Sequence, residues 1–182
     1  GRFTALRGWE WSSMPNWANL HRVVFTSADA ATAGKFIPFS SIQSSRPEDL
    51  WRWLDQTSRA TGAQFVAIPH NSNMSNGTMF DIVDSDGKPL TADYARDRAR
   101  WEVVMEITQT KGTSETAPSL SPNDEFAGFE LWDYTLSADA ERPTHREGSY
   151  VRRALLDGLL LSSRGKGNPF KYGFIGDSDT HN

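Results

Sequence analysis

The chain has 182 residues, no cysteine and a formal net charge of -4. That length suits one domain with a sizeable core, and 37% hydrophobic against 23% charged residues is a composition that folds. The lack of cysteine excludes disulfides, thiolate zinc sites and cysteine nucleophiles together. No basic stripe interleaved with aromatics marks a nucleic-acid binder, and no apolar run nears the ~18 residues of a membrane span.

The opening stretch GRFTALRGWEW runs straight into a strand with no start signal. The expectation is therefore a piece of a longer chain, truncated ahead of Gly1, in which a missing targeting segment carries no weight. Phe3 to Trp11 alternates loosely and reads as a strand. Asn19 to Ser27, NLHRVVFTS, reads as a second, after a Pro/Asn/Ser connection. Arg46-Pro47-Glu48-Asp49 opens a helix with Pro47 in its first turn and acids behind it. Leu50, Trp51, Leu54 and Thr57 give that helix a buried face, and Gly62 closes it.

Gln64 to Ile68 is a short buried strand followed at once by Pro69-His70-Asn71. Residues 71–89 form a long polar loop. Thr91-Ala92-Asp93 caps a helix through about Arg100, and Val103 to Ile107 is another short strand. Residues 112–125 form a second loop. Ser149 to Ser163 is a helix with Val151, Leu155, Leu156, Leu159 and Leu160 inward. Tyr172 to Ile175 is the last strand, tipped by GDSDTHN. Strands alternating with helices predict an α/β fold with a largely parallel sheet, its short apolar strands buried on both faces.

In such folds chemistry gathers at the carboxyl ends of strands. Glu10, His70, Glu106, Asp179 and His181 all fall at such ends. His21 begins the second strand and reaches the same rim if that strand runs back antiparallel to the first. Taken singly, Glu10 beside Trp9 and Trp11 could be a surface residue, His21 a satisfied strand histidine and His70 a loop cap. His145, in RPTHREG, reads as a solvated loop residue. Carboxylates mixed with imidazoles suit Zn, Mn or Fe. Seven tryptophans is a high count for this length. Trp9, Trp11 and Trp17 could stack on sugars, although packing is the commoner use; Trp51, Trp53, Trp101 and Trp132 fit packing.

The segments GWEW, NLHR, PEDLWRWL, IPHNSNMSNG, RARWEVVMEITQTKGTSE, SPNDEFAGFELWDY and NPFKYGFIGDSDTHN, in that order, resemble the DUF3604 family. This is a bacterial group related to the PHP (polymerase and histidinol phosphatase) metal-dependent phosphoesterases. The resemblance implies a partial, distorted β/α barrel with a metal cluster at its carboxyl rim. It implies metal ligation by Glu10, His21, His70, Asp179 and His181, with Glu10 and Lys111 catalytic and Asn71 and Glu115 near substrate. The His-x-His motif that opens a PHP domain is absent, and with it the expectation of a full metal set. The implied activity is metal-assisted hydrolysis of a small, phosphorylated substrate. Two other readings stand beside it: a non-catalytic carbohydrate-binding domain, and a glycosidase-like barrel using Glu10 and Glu106.

Overall fold

The computed structural model describes residues 4–132, 134–139 and 141–181; Phe3 lies outside them. The first three strands are β1 (Arg7–Trp11), β2 (Arg22–Thr26) and β3 (Phe65–Pro69), paired in the order β1-β2-β3. Both pairings are antiparallel, with Trp11 opposite Arg22 and Arg22 opposite Pro69. Side chains alternate faces along a strand, so this register puts Trp11, Val24, Phe65 and Ala67 together on one face. All four are buried. They pack against Leu50, Trp51 and Leu54 of helix α2 (Pro47–Thr61), the face read from the sequence. Gly62 ends α2 at φ 77°, a left-handed conformation that glycine adopts without a Cβ penalty.

A second sheet has the order β5-β4-β6, where β4 is Val104–Gln109, β5 is Gly112–Thr113 and β6 is Gly173–Gly176. β4 and β6 are parallel, whereas β5 turns back on β4. β3 packs beside β4. Parallel pairing among the described strands is thus confined to β4 and β6. Residues 112–125 are less open than expected because β5 forms there, on a tight turn through Thr110 and Lys111. The 71–89 segment likewise holds a 3-10 turn at Ser72–Met74 and a bridge between Val83 and Pro89.

Among the described residues the further α-helices are the one-turn α1 (Ala30–Ala33), α3 (Ala92–Trp101) and α4 (Val151–Ser163). Thr91 caps α3, its hydroxyl oxygen accepting from the Tyr94 N–H at 3.2 Å. The inward face of α4 differs in part from the sequence reading, although Val151 is buried and Leu155 packs against the core as expected. Val151, Ala154 and Gly158 are buried, while Leu156, Leu159 and Leu160 are exposed. Small residues set this rotation. A Cβ at Gly158 would stand 2.2 Å from the Asn168 Oδ1, so the helix approaches the 168–172 segment on its glycine side.

Between the sheets and helices lies a buried ionic group that nothing in the sequence flagged. The Glu102 carboxylate has no exposure; its Oε1 accepts from Arg22 Nε at 3.0 Å and Trp51 Nε1 at 2.8 Å. Its Oε2 lies 3.0 Å from Arg98 Nε, which also donates to the Tyr172 hydroxyl at 2.8 Å. Arg98 donates further to the Met79 carbonyl at 2.9 Å and sits over the Phe170 ring at 5.0 Å. Burial alone would push the Glu102 carboxyl up. The Arg22 and Arg98 charges, with hydrogen bonds from Arg22 and Trp51, outweigh it and hold the group below its ordinary range.

A carboxyl held low when folded contributes stability above its unfolded pKa and loses it as pH falls through the folded one. Glu102→Gln is therefore expected to cost about 3–5 kcal/mol at neutral pH, because it leaves two buried guanidiniums uncompensated. It should also flatten the acid limb of the stability profile. Urea denaturation across pH 3 to 7 reads both (a range set about the ordinary carboxyl pKa of ~4). A loss under about 1 kcal/mol, within the ordinary run of point substitutions, would contradict the packing role.

Candidate metal centre

The register that buries Trp11 and Val24 also builds the opposite face. Glu10 pairs with Val23, and Val23 with Ile68. His21 lies two residues before Val23, and His70 two residues after Ile68, so period two brings Glu10, His21 and His70 to one face. The backbones are tied as well. The His70 N–H donates to the His21 carbonyl at 3.4 Å, and the His21 N–H donates to Asn19 Oδ1 at 2.9 Å. Pro69 fixes the turn into His70.

The three side chains converge. Glu10 Oε1 lies 2.7 Å from His21 Nδ1 and 3.1 Å from His70 Nε2. One ligand atom from each lies within 4.8 Å of the others. His70 is buried, and its Nδ1 faces the Ile68 carbonyl at 3.4 Å. A proton on Nε2 donates to the Glu10 carboxylate, whereas a proton moved to Nδ1, facing Ile68, would free the Nε2 lone pair for a metal. Glu10 is held well below the usual carboxylate range, first by its hydrogen bond to His21 and then by that to His70, against partial burial. It is an anion at neutral pH.

The second sheet faces this group with Glu106, Lys111 and Asp179. Glu106 is buried, and its Oε2 has no hydrogen-bond partner among the described residues. Burial pushes its carboxyl up and the Asp179 charge adds to that, while His70 pulls the other way. The Lys111 ammonium is bonded to Asp179 Oδ2. Burial raises Asp179, and the Lys111 hydrogen bond and charge outweigh it, leaving the group low. Sequence reasoning placed Glu106 at the strand end but gave it a role only in the glycosidase reading. Its buried, unpaired oxygen becomes visible only in the fold.

Other candidates stand apart. His181 does not join the three-residue group. Asp179 has φ 56°, and past this left-handed residue the His181 Nδ1 rests 2.8 Å from the Asp179 carbonyl on an exposed ring. Glu115 is committed to Arg152, with Oε1 2.5 Å from Nη2, in a different cavity lined by Phe126 and Phe129. Asn71 is close: its backbone N–H acts to lower the Glu106 carboxyl, against the burial that raises it, and its own buried Oδ1 lacks a partner among the described residues. Asn73 braces the turn, donating to the Lys111 carbonyl at 3.0 Å. His145 is exposed and bonded to Thr144. Trp11 is buried and Trp9 packs edge-on against Trp53 and Phe65, while Trp17 is half exposed.

Two imidazole nitrogens and a carboxylate oxygen form a donor set that fits a borderline divalent ion such as Zn, Mn or Fe. The unpaired Glu106 oxygen supplies a hard acceptor on the facing sheet. Glu10, His21 and His70 could hold such an ion, and Ile68 would orient the His70 ring from behind.

Residues 1–182 match the family described as protein of unknown function (DUF3604), and the chain belongs to that family. No curated protein and no solved structure matches it.

The turn that carries Lys111 depends on Gly112. At φ 91°, a Cβ there would lie 2.5 Å from Trp132 Cβ and 2.7 Å from the Glu130 carbonyl oxygen. Gly112→Ala is expected to destabilise the chain by about 2 kcal/mol or more, since backbone strain and a backbone clash combine. Thermal unfolding measures it; an unchanged midpoint would contradict this close approach.

Proposed function

We propose that this chain carries part of a metal-dependent hydrolase site of the PHP phosphoesterase type, acting on a small anionic ester. The observation that supports the reading most is the convergence of Glu10, His21 and His70 on one sheet face, with Lys111 and two further carboxylates opposite. A divalent ion bound by these side chains would lower the pKa of a coordinated water to ~7 and so supply hydroxide at neutral pH.

The chain's own residues do the rest. Glu10, ionised and shared between both imidazoles, keeps His21 and His70 pointed inward. With a metal bound, a proton on His70 Nδ1, directed at the Ile68 carbonyl, would hold the ring in the tautomer whose Nε2 ligates. Lys111 carries the positive charge nearest Asp179, and it can swing that charge toward the charge developing on a leaving oxygen. Burial raises the Glu106 carboxyl, and its unpaired oxygen faces the site from the second sheet. Phosphate as the substrate charge rests on the PHP likeness and on Lys111, and not on fold alone.

The test is metal content and hydrolysis on the same preparations. The chain loaded with Zn or Mn should retain metal through gel filtration. Glu10→Gln and His70→Ala should each lose it while far-UV circular dichroism stays unchanged. Normal metal content in His70→Ala, with only a lowered melting point, would reduce His70 to a loop cap and contradict the reading. In a panel of phosphomonoesters and phosphodiesters, Lys111→Met should keep its metal yet lower kcat by about a hundredfold or more, the scale of losing one charge-stabilising group. Hydrolysis that survives chelator would exclude the metal mechanism.

A further inference from the structure

A cavity of about 710 Å³ lies on the core side of β2, away from the Glu10 group. Its lining includes Arg22, Arg46 and Arg98, with an apolar wall from Leu20, Phe80 and Tyr94. None of Glu10, His21, His70, Glu106, Lys111 or Asp179 lines it.

Two guanidinium nitrogens at this cavity lack partners among the described residues. Arg22 is fully buried: Nε is taken by Glu102 and Nη1 by the Leu20 carbonyl at 2.5 Å, and Nη2 is left without an acceptor. Arg46 donates from Nη1 to Asp86 at 2.7 Å, while its Nε has no partner and almost no contact with solvent. An N–H that meets neither water nor acceptor is costly. The charges point the same way. Arg22 and Arg98 share the single carboxylate of Glu102, so one positive charge in this buried group is uncompensated. Of the rim carboxylates, Asp157 is paired with Arg153, while Asp81 and Asp84 accept from the backbone N–H groups of Val83, Asp86 and Lys88 and keep their charge at the rim, apart from the buried guanidinium nitrogens. Glu147, also at the rim, is exposed.

We infer that this cavity is a binding site for a small organic monocarboxylate. Its single negative charge would balance the Arg22–Glu102–Arg98 group by accepting from Arg22 Nη2 and Arg46 Nε, and its apolar body would lie along Leu20, Phe80 and Tyr94. One uncompensated charge selects a monoanion over a phosphate dianion, and the apolar wall selects a carbon skeleton over a bare inorganic ion. Arg22 directly follows His21, so occupancy of this cavity abuts the strand that carries the candidate metal centre.

The experiment is a titration of the whole chain with benzoate and hexanoate. Calorimetry and the arginine Nε–H NMR signals report binding, with benzyl alcohol, chloride and inorganic phosphate as comparison ligands. The expected result is saturable carboxylate binding that raises the melting point with concentration and perturbs the Arg22 and Arg46 signals. Benzyl alcohol and chloride should do neither. Arg46→Gln keeps the buried group intact and should weaken benzoate by about tenfold or more, the worth of one hydrogen bond to a charged group, while far-UV circular dichroism shows the free chain folded as before. No saturable carboxylate binding, phosphate binding as tight as benzoate, or unaltered benzoate affinity in Arg46→Gln would each overturn the proposal. Metal content is measured alongside, because the metal centre can fail while this site stands, and the reverse.

Discussion

The Glu102 carboxylate, shared between Arg22 and Arg98, ties the elements of this fold together. It stands just past α3, takes Arg22 from β2 and Trp51 from α2, and reaches Tyr172 just ahead of β6. A buried charge must find its partners or carry a large desolvation penalty. That condition fixes where β2 lies against α2 and α3. Because Arg22 points into this group, the neighbouring His21 must point the other way. The geometry of the candidate metal centre follows from a salt bridge on the opposite side of the sheet.

The same strands therefore serve two purposes through alternation alone. Trp11, Arg22, Val24, Phe65 and Ala67 face the core, while Glu10, His21 and His70 face the site. A slip of one residue in the β1–β2 register would exchange the faces and expose a buried arginine together with a buried tryptophan. The second sheet adds the complementary charges. β4 presents Glu106, its tight turn presents Lys111, and the segment after β6 presents Asp179. The site thus draws on both sheets where β3 and β4 lie side by side.

What could be read from the sequence divides by range. Glu10 and His70 were legible as strand-end residues, and His21 on the condition that β2 runs antiparallel to β1, as it does; their role as ligands came from the family resemblance. Helix α2 and its caps were legible too, where Pro47, the buried face and Gly62 all agree. The pairing direction of the first sheet was not: helices between strands suggested parallel neighbours, yet β2 and β3 are antiparallel across α2. The Arg22–Glu102–Arg98 group was hidden because nothing local in ARDRARW tells Arg98 from Arg96 and Arg100. Only tertiary packing shows that Arg98 turns inward while Arg96 and Arg100 stay out. The rotation of α4 was misjudged in part, for a related reason. Leucines dominate its composition, but the close approach allowed by Ala154 and Gly158 decides which side is buried. The position of His181 depends on the left-handed backbone at Asp179, which the triplet Asp-x-His does not encode.

The central claim is that Glu10, His21 and His70 form a metal-binding face fixed by sheet register. Crystals of the chain grown with zinc, with diffraction data collected on both sides of the zinc absorption edge, test it most directly. The account predicts an anomalous peak bounded by Glu10 Oε1, His21 Nδ1 and His70 Nε2, and its loss in crystals of Glu10→Gln. A zinc peak elsewhere on the chain with none among these three atoms, or a peak there that persists in Glu10→Gln, would contradict it.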